Sequence, residues 1–163
     1  MITIKNKEYG SNINLASIYN CMAKQRILDI AKKLDLYVSP NLNKEETARR
    51  VAEGILSAPV NIMCSLCKAE HQLLEVFVTA SANAYVVRKI RKTLYKLQKF
   101  GLVLTYEDDA KGEWHMLMPD SVRDSLADFV PQFMNYINAG QPIPSAKEIR
   151  MRMALHRFLN GEG

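Results

Sequence analysis

Residues 84–119 read AYVVRKIRKTLYKLQKFGLVLTYEDDAKGEWHMLMP, and the folding of this stretch decides the class of the protein. Val87, Ile90, Leu94 and Leu97 recur at helical spacing, which predicts a helix from about Tyr85 to Phe100 with those four side chains buried. Gly101 stands where a helix C-terminus favours a left-handed residue. LVLTY (102–106) then reads as a strand, EDDAKGE (107–113) as a turn and WHMLM (114–118) as a returning strand.

On such a helix Lys89, Lys92, Lys96 and Lys99 share one exposed face, and Arg88, Arg91 and Tyr95 form a neighbouring row. Like charges at these spacings repel by some tenths of a kcal/mol per pair. Phosphates would relieve that repulsion, each neutralised phosphate adding a counterion-release contribution. The plainer account is a lysine-rich solvated face on a basic protein. Against simple docking on DNA, the hairpin tip carries Glu107, Asp108, Asp109 and Glu113 with Lys111 alone to balance them.

The order helix, helix, strand, turn, strand over residues 66–126 resembles the winged-helix (winged helix-turn-helix) fold. The resemblance implies a helical bundle that presents its second helix to a groove, with a two-stranded wing after it. Upstream, ILDIAKKLDLYVSPNLNKEETARRVAEGIL (27–56) resembles the helix–extended loop–helix units of the SAP or HeH kind. That likeness implies nucleic-acid contact through a lysine-led second helix, in which Lys44, Arg49 and Arg50 would make a second set of contacts.

Working outward, MITIKNKEY (1–9) alternates apolar and polar residues and reads as a short edge strand or a loose arm. Leu15, Ile18, Tyr19 and Met22, then Ile27, Ile30, Ala31 and Leu34, predict one or two helices ending near Asp35. Asn43 with Glu46 predicts an N-cap and its reciprocal partner for a helix over Lys44–Ser57. A further helix is expected over Leu66–Val78. Another should start at Asp120 and run to about Val130, with Pro131 either kinking it or opening a new helix to Asn138. Val122, Leu126, Phe129, Val130, Phe133 and Ile137 lie at helical spacing there. After the linker AGQPIP, an amphipathic helix over Ser145–Leu159 is expected, capped by Ser145 with Glu148 three residues on.

CSLCKAEH (64–71) sets Cys64, Cys67 and His71 at spacings that one continuous helix would bring to one face. Zinc needs a fourth ligand, and Cys21, His115 and His156 show no second paired spacing. The alternative is a packed helix in which Cys67 lies near a buried stripe as a small hydrophobe. No metal and no cofactor is therefore expected. Gly-rich phosphate loops, nucleophile elbows and HExxH are all missing from the sequence, and adjacent Asp108 and Asp109 look like a solvated tip, so no catalytic residue is assigned.

The chain has 163 residues, a net charge of +5, 48% hydrophobic and 24% charged residues, enough apolar material for a core. Its isoelectric point of about 9.1 suits an anionic partner. No run approaches the roughly 18 apolar residues of a membrane span, and the N-terminal stretch lacks the apolar segment of a secretory signal. Three cysteines cannot all pair internally, which favours reduced thiols in a cytoplasm.

The expectation is a mainly α (α+β) protein. It comprises a helical unit over 1–60, a winged-helix-like domain over 61–139 and a C-terminal amphipathic helix over 145–163. The function expected is non-catalytic, transcription-associated nucleic-acid binding, with DNA ahead of RNA and no membrane partner. The competing class is a protein–protein adaptor. In it the 145–159 helix, with Ile149, Met153, Leu155 and Phe158 between Arg150, Arg152 and Arg157, docks on a second copy or another protein rather than folding back.

Overall fold

The computed structural model describes residues 1–161, so the last two residues of the expected 145–163 segment lie outside the described residues. The chain opens with a hairpin of β1 (Ile2–Ile4) and β2 (Lys7–Tyr9), paired antiparallel with Ile4 opposite Lys7. Lys5 and Asn6 both take positive φ, 49° and 65°, the backbone that a two-residue hairpin loop requires.

Three helices follow. Asn14 caps α1 (Leu15–Asn20) by accepting from the Ala16 amide at 2.9 Å. Ala23 is extended, so the 15–35 region is two helices, the second being α2 (Lys24–Lys33). Asp35 takes φ 58°, and the Leu36 amide donates back to the Ala31 carbonyl at 2.8 Å, closing the helix end with a left-handed residue. The helix α3 (Lys44–Ser57) has the expected bounds, and Asn43 accepts from the Glu46 amide at 2.8 Å. The reciprocal half of the cap does not form, because the Glu46 carboxylate turns to Arg49 and Arg50 instead.

Two expectations in the middle of the chain are corrected. The helix expected from Leu66 is α5 (Lys68–Thr79), preceded by a separate α4 (Pro59–Ser65). Leu66 and Cys67 are extended between them, with ψ 144° and 177°. The helix expected over 85–100 is not formed. Val86–Lys89 is a strand, β3, residues 90–95 are irregular, and only Lys96–Lys99 is helical, a single turn, α6.

Adjacent valines lose side-chain freedom in a helix and suit a pleated surface. Here a partner strand also satisfies the backbone of 86–89, and the crowding of six cations on one helix never arises. The burial confirms the change of period. Val86 is buried, whereas Val87 and Leu94, expected inside, are exposed, and Ile90 is only half-buried. Gly101 does end the helical turn, with φ 67° and the Leu102 amide donating to the Leu97 carbonyl at 2.9 Å.

The expected hairpin is present as β4 (Leu104–Asp108) and β5 (Glu113–Leu117). With β3 it makes an antiparallel sheet in the order β3-β5-β4, setting Val87 opposite His115 and His115 opposite Tyr106. Next come α7 (Asp120–Ala127) and α8 (Val130–Asn138). Pro131 sits in the first turn of α8, so it starts a new helix rather than kinking an old one. Last is α9 (Ala146–Leu159), whose Ser145 cap accepts from the Glu148 amide at 3.2 Å. The fold is mixed α and β, with two small antiparallel sheets among the described residues.

One hydrophobic core runs from Leu15 to Ile149, through Val51, Leu74, Trp114 and Phe133. Residues on both sides of position 60 therefore share it. Hydrogen bonds cross the same line, among them the buried Tyr19 hydroxyl donating to the Phe100 carbonyl at 2.8 Å and the Ser125 hydroxyl donating to the Leu56 carbonyl at 2.8 Å.

Gly101→Ala tests this junction. An added Cβ would lie 2.6 Å from Met22 Cε and 2.8 Å from Tyr19 Cε1, on a backbone that L-residues adopt at a cost. The expected loss in urea unfolding is more than about 1 kcal/mol.

Candidate nucleic-acid interface

The cations expected on one helical face are distributed over a strand, a loop and a turn. Arg88 lies in β3 and its guanidinium donates to its neighbour, the Val87 carbonyl, at 2.8 Å. Lys89 is exposed at the strand end, and Arg91 and Lys92 are exposed in the following loop. The Arg91 guanidinium covers the Tyr95 ring at 3.7 Å from its centroid, and Tyr95 in turn meets Trp114 edge-on at 6.0 Å.

Lys96 and Lys99 lie on the α6 turn. The Lys96 ammonium donates to the Ser65 carbonyl at the end of α4, at 2.7 Å. Its backbone amide donates to the buried Glu70 carboxylate of α5, also at 2.7 Å. The turn is thus tied to two helices. Gln98 completes it by accepting from the Tyr95 amide at 2.8 Å.

This anchoring brings α6 beside α2. The space between them is a shallow pocket of about 520 Å³ whose polar lining includes Arg26, Asp29 and Lys33 from α2, Ser65, and Lys96 and Lys99 from α6. Four cations face one carboxylate there, and that carboxylate already accepts from the Gln25 amide group at 2.9 Å. A multi-oxygen anion matches such a lining, because each phosphate oxygen can take a charge-assisted hydrogen bond.

Arg26 and Lys33 were missed from the sequence. Their seven-residue spacing puts them on one side of a helix, which was the available signal. Nothing local said that α6 would face them.

The second predicted set is only partly available. Arg49 pairs with Glu46 and, at 2.8 Å, with Glu53, and the Arg50 guanidinium donates to Glu46 at 2.9 Å. The hydrogen bonds from Arg49 and then Arg50 hold the Glu46 carboxyl down to about 2. The charge of this face is largely spent within α3. Lys44, at the start of that helix, is exposed.

The thiol–imidazole stretch does not converge. Cys64 ends within α4, Cys67 precedes α5, and His71 points into the core, stacked on Phe133 at 5.1 Å between ring centroids. Burial pushes the Cys64 thiol up from its usual value. Among the described residues no group of three His, Cys, Asp or Glu is placed to hold a metal ion. Among the same residues no helix is long and apolar enough to cross a membrane. Comparison with protein-family models, curated proteins and solved structures found no match to this chain.

His71 supplies a pH test of the core. Burial depresses its pKa below the usual 6.5, so the folded protein keeps the ring neutral where the unfolded chain would protonate it. Stability is then full above that pH and falls as pH drops through it toward the folded-state value. Thermal unfolding followed from neutral to mildly acid pH should show this decline, and His71→Phe should flatten it.

Proposed function

We propose that this protein is a non-catalytic nucleic-acid-binding protein that engages phosphates through the pocket between α2 and α6. One observation carries the reading: Arg26, Lys33, Lys96 and Lys99 line a single pocket with one carboxylate among them. Lys89, Arg91, Lys92 and Lys44 are exposed outside the pocket and add cations to the surface. A net charge of +5 supports association with a polyanion. In this proposal the β4–β5 hairpin is read as the counterpart of a wing. Its acidic tip repels phosphate, so the duplex phosphate contacts are assigned to the pocket and not to the tip. The proposal includes transcription-associated action in a cytoplasm, on DNA ahead of RNA.

The adaptor reading is favoured by one specific observation. Ile149 anchors the start of α9, but Met151, Leu155, Phe158 and Leu159 are exposed at 63%, 58%, 74% and 73%. Their spacing makes one apolar stripe along the outer side of the helix. A light-scattering mass that rises with concentration, and that returns to the monomer value in Phe158→Glu, would support this reading.

The leading proposal is tested by titrating generic duplex DNA at increasing salt. Affinity should fall steeply. The pair Lys96→Ala with Lys99→Ala should reduce the slope of log affinity against log salt by about 2. Arg49→Ala should change it little, because that guanidinium is already paired. No binding at low salt would sink the proposal.

A further inference from the structure

A second groove lies on the outer face of the three-stranded sheet, where a β-sheet of this kind normally presents polar side chains. Val87, His115 and Tyr106 form one cross-strand row there. The Tyr85 ring stacks on His115 with centroids 5.0 Å apart and planes 13° from parallel, and Tyr106 meets the same imidazole edge-on at 5.8 Å. The Glu113 carboxylate lies 3.4 Å from His115 Nε2.

Both tyrosines remain uncovered, Tyr85 at 45% and Tyr106 at 37%. The N-terminal hairpin forms the opposite lip through Thr3, Lys5 and Asn6, enclosing about 490 Å³. This volume falls within the range of roughly 300–1,000 Å³ typical of small-molecule sites.

We infer that this groove binds a nucleobase carrying a phosphate, with the base stacked on the Tyr85–His115 pair. A pre-stacked pair with an open ring surface favours another flat ring, since each base offers a π-face to an aromatic side chain. Thr3 and Asn6 supply a hydroxyl and an amide that can meet the polar edge of a base. Lys5 supplies one cation at the lip, the complement of a single phosphate. The groove is separate from the α2–α6 pocket and does not depend on duplex binding there. The same chemistry comes from two sources, a free nucleotide or a base of a single strand.

The test follows the His115 ring protons by NMR in the full chain, on titration with adenosine monophosphate and with a short oligo(dA). Ring-current shifts of His115 on adding either ligand are expected. Shifts with the mononucleotide identify a free nucleotide as a source, and shifts with the oligonucleotide alone identify a strand. Tyr85→Ala should weaken binding about tenfold, whereas Tyr85→Phe, which keeps the ring, should restore it. Because Tyr85 lies on the surface, outside the core, both variants should fold, and their amide spectra check this.

Absence of any His115 shift with both ligands overturns the inference, as does an affinity that Tyr85→Ala leaves unchanged. If oligonucleotide binding depends on Lys96 and Lys99 but not on Tyr85, the groove is not the site, and the reading of the cationic pocket stands without it.

Discussion

The single helical turn Lys96–Lys99 is held at its start by the buried Glu70 carboxylate on the Lys96 amide and at its end by the Tyr19 hydroxyl on the Phe100 carbonyl. Both bonds are shielded from water, where a lost polar partner costs more than the bond itself contributes. Removing either partner would leave a buried polar group without its bond. From this turn the chain goes two ways. Leu97 enters the core, and Gly101, in the left-handed region, redirects the backbone into β4. On the other side Lys96 and Lys99 are set against α2. The sheet connection and the cationic pocket thus both depend on one anchored turn.

The same basic composition meets two different fates. In α3, Glu46 and Glu53 lie three or four residues from Arg49 and Arg50, the spacing at which helical side chains meet, so the charges close on one another. Between residues 88 and 99 no acid is available. There the cations find carbonyls and a ring: Arg88 on Val87, Lys96 on Ser65, Arg91 on Tyr95. These partners hold the side chains while leaving their positive charge uncompensated, which is why the pocket lies beside α6 and not beside α3.

Where structure follows from neighbouring residues, the sequence was legible. Asn43 and Ser145 cap the helices they were expected to cap, Gly101 takes the left-handed backbone, and the 104–117 hairpin turns where the acids and Gly112 stand. The segment 85–100 was misread because its apolar residues fit a helical period that nothing in the segment contradicts. What overrode it lies far along the chain. Val86 and Val87 pair with Met116 and His115 of a partner strand that lies outside the segment itself. Cys64, Cys67 and His71 were separated in a similar way, by two extended residues at a helix–helix junction.

Of the candidate site, the sequence by itself determined the inventory: a run of cations without acids, and a helix with Arg26 and Lys33 seven residues apart. Composition and local capping are properties of adjacent residues, so they survive any tertiary arrangement. Only the tertiary structure decided which of these meet. It joined α2 to α6 through anchors on α4 and α5, spent Arg49 and Arg50 on their own helix, and stacked Tyr85 on a histidine from another strand. The physical reason is that burying Leu97, Val86 and Trp114 in one shared core fixes the backbone first, and the surface side chains then take whatever neighbours that backbone presents.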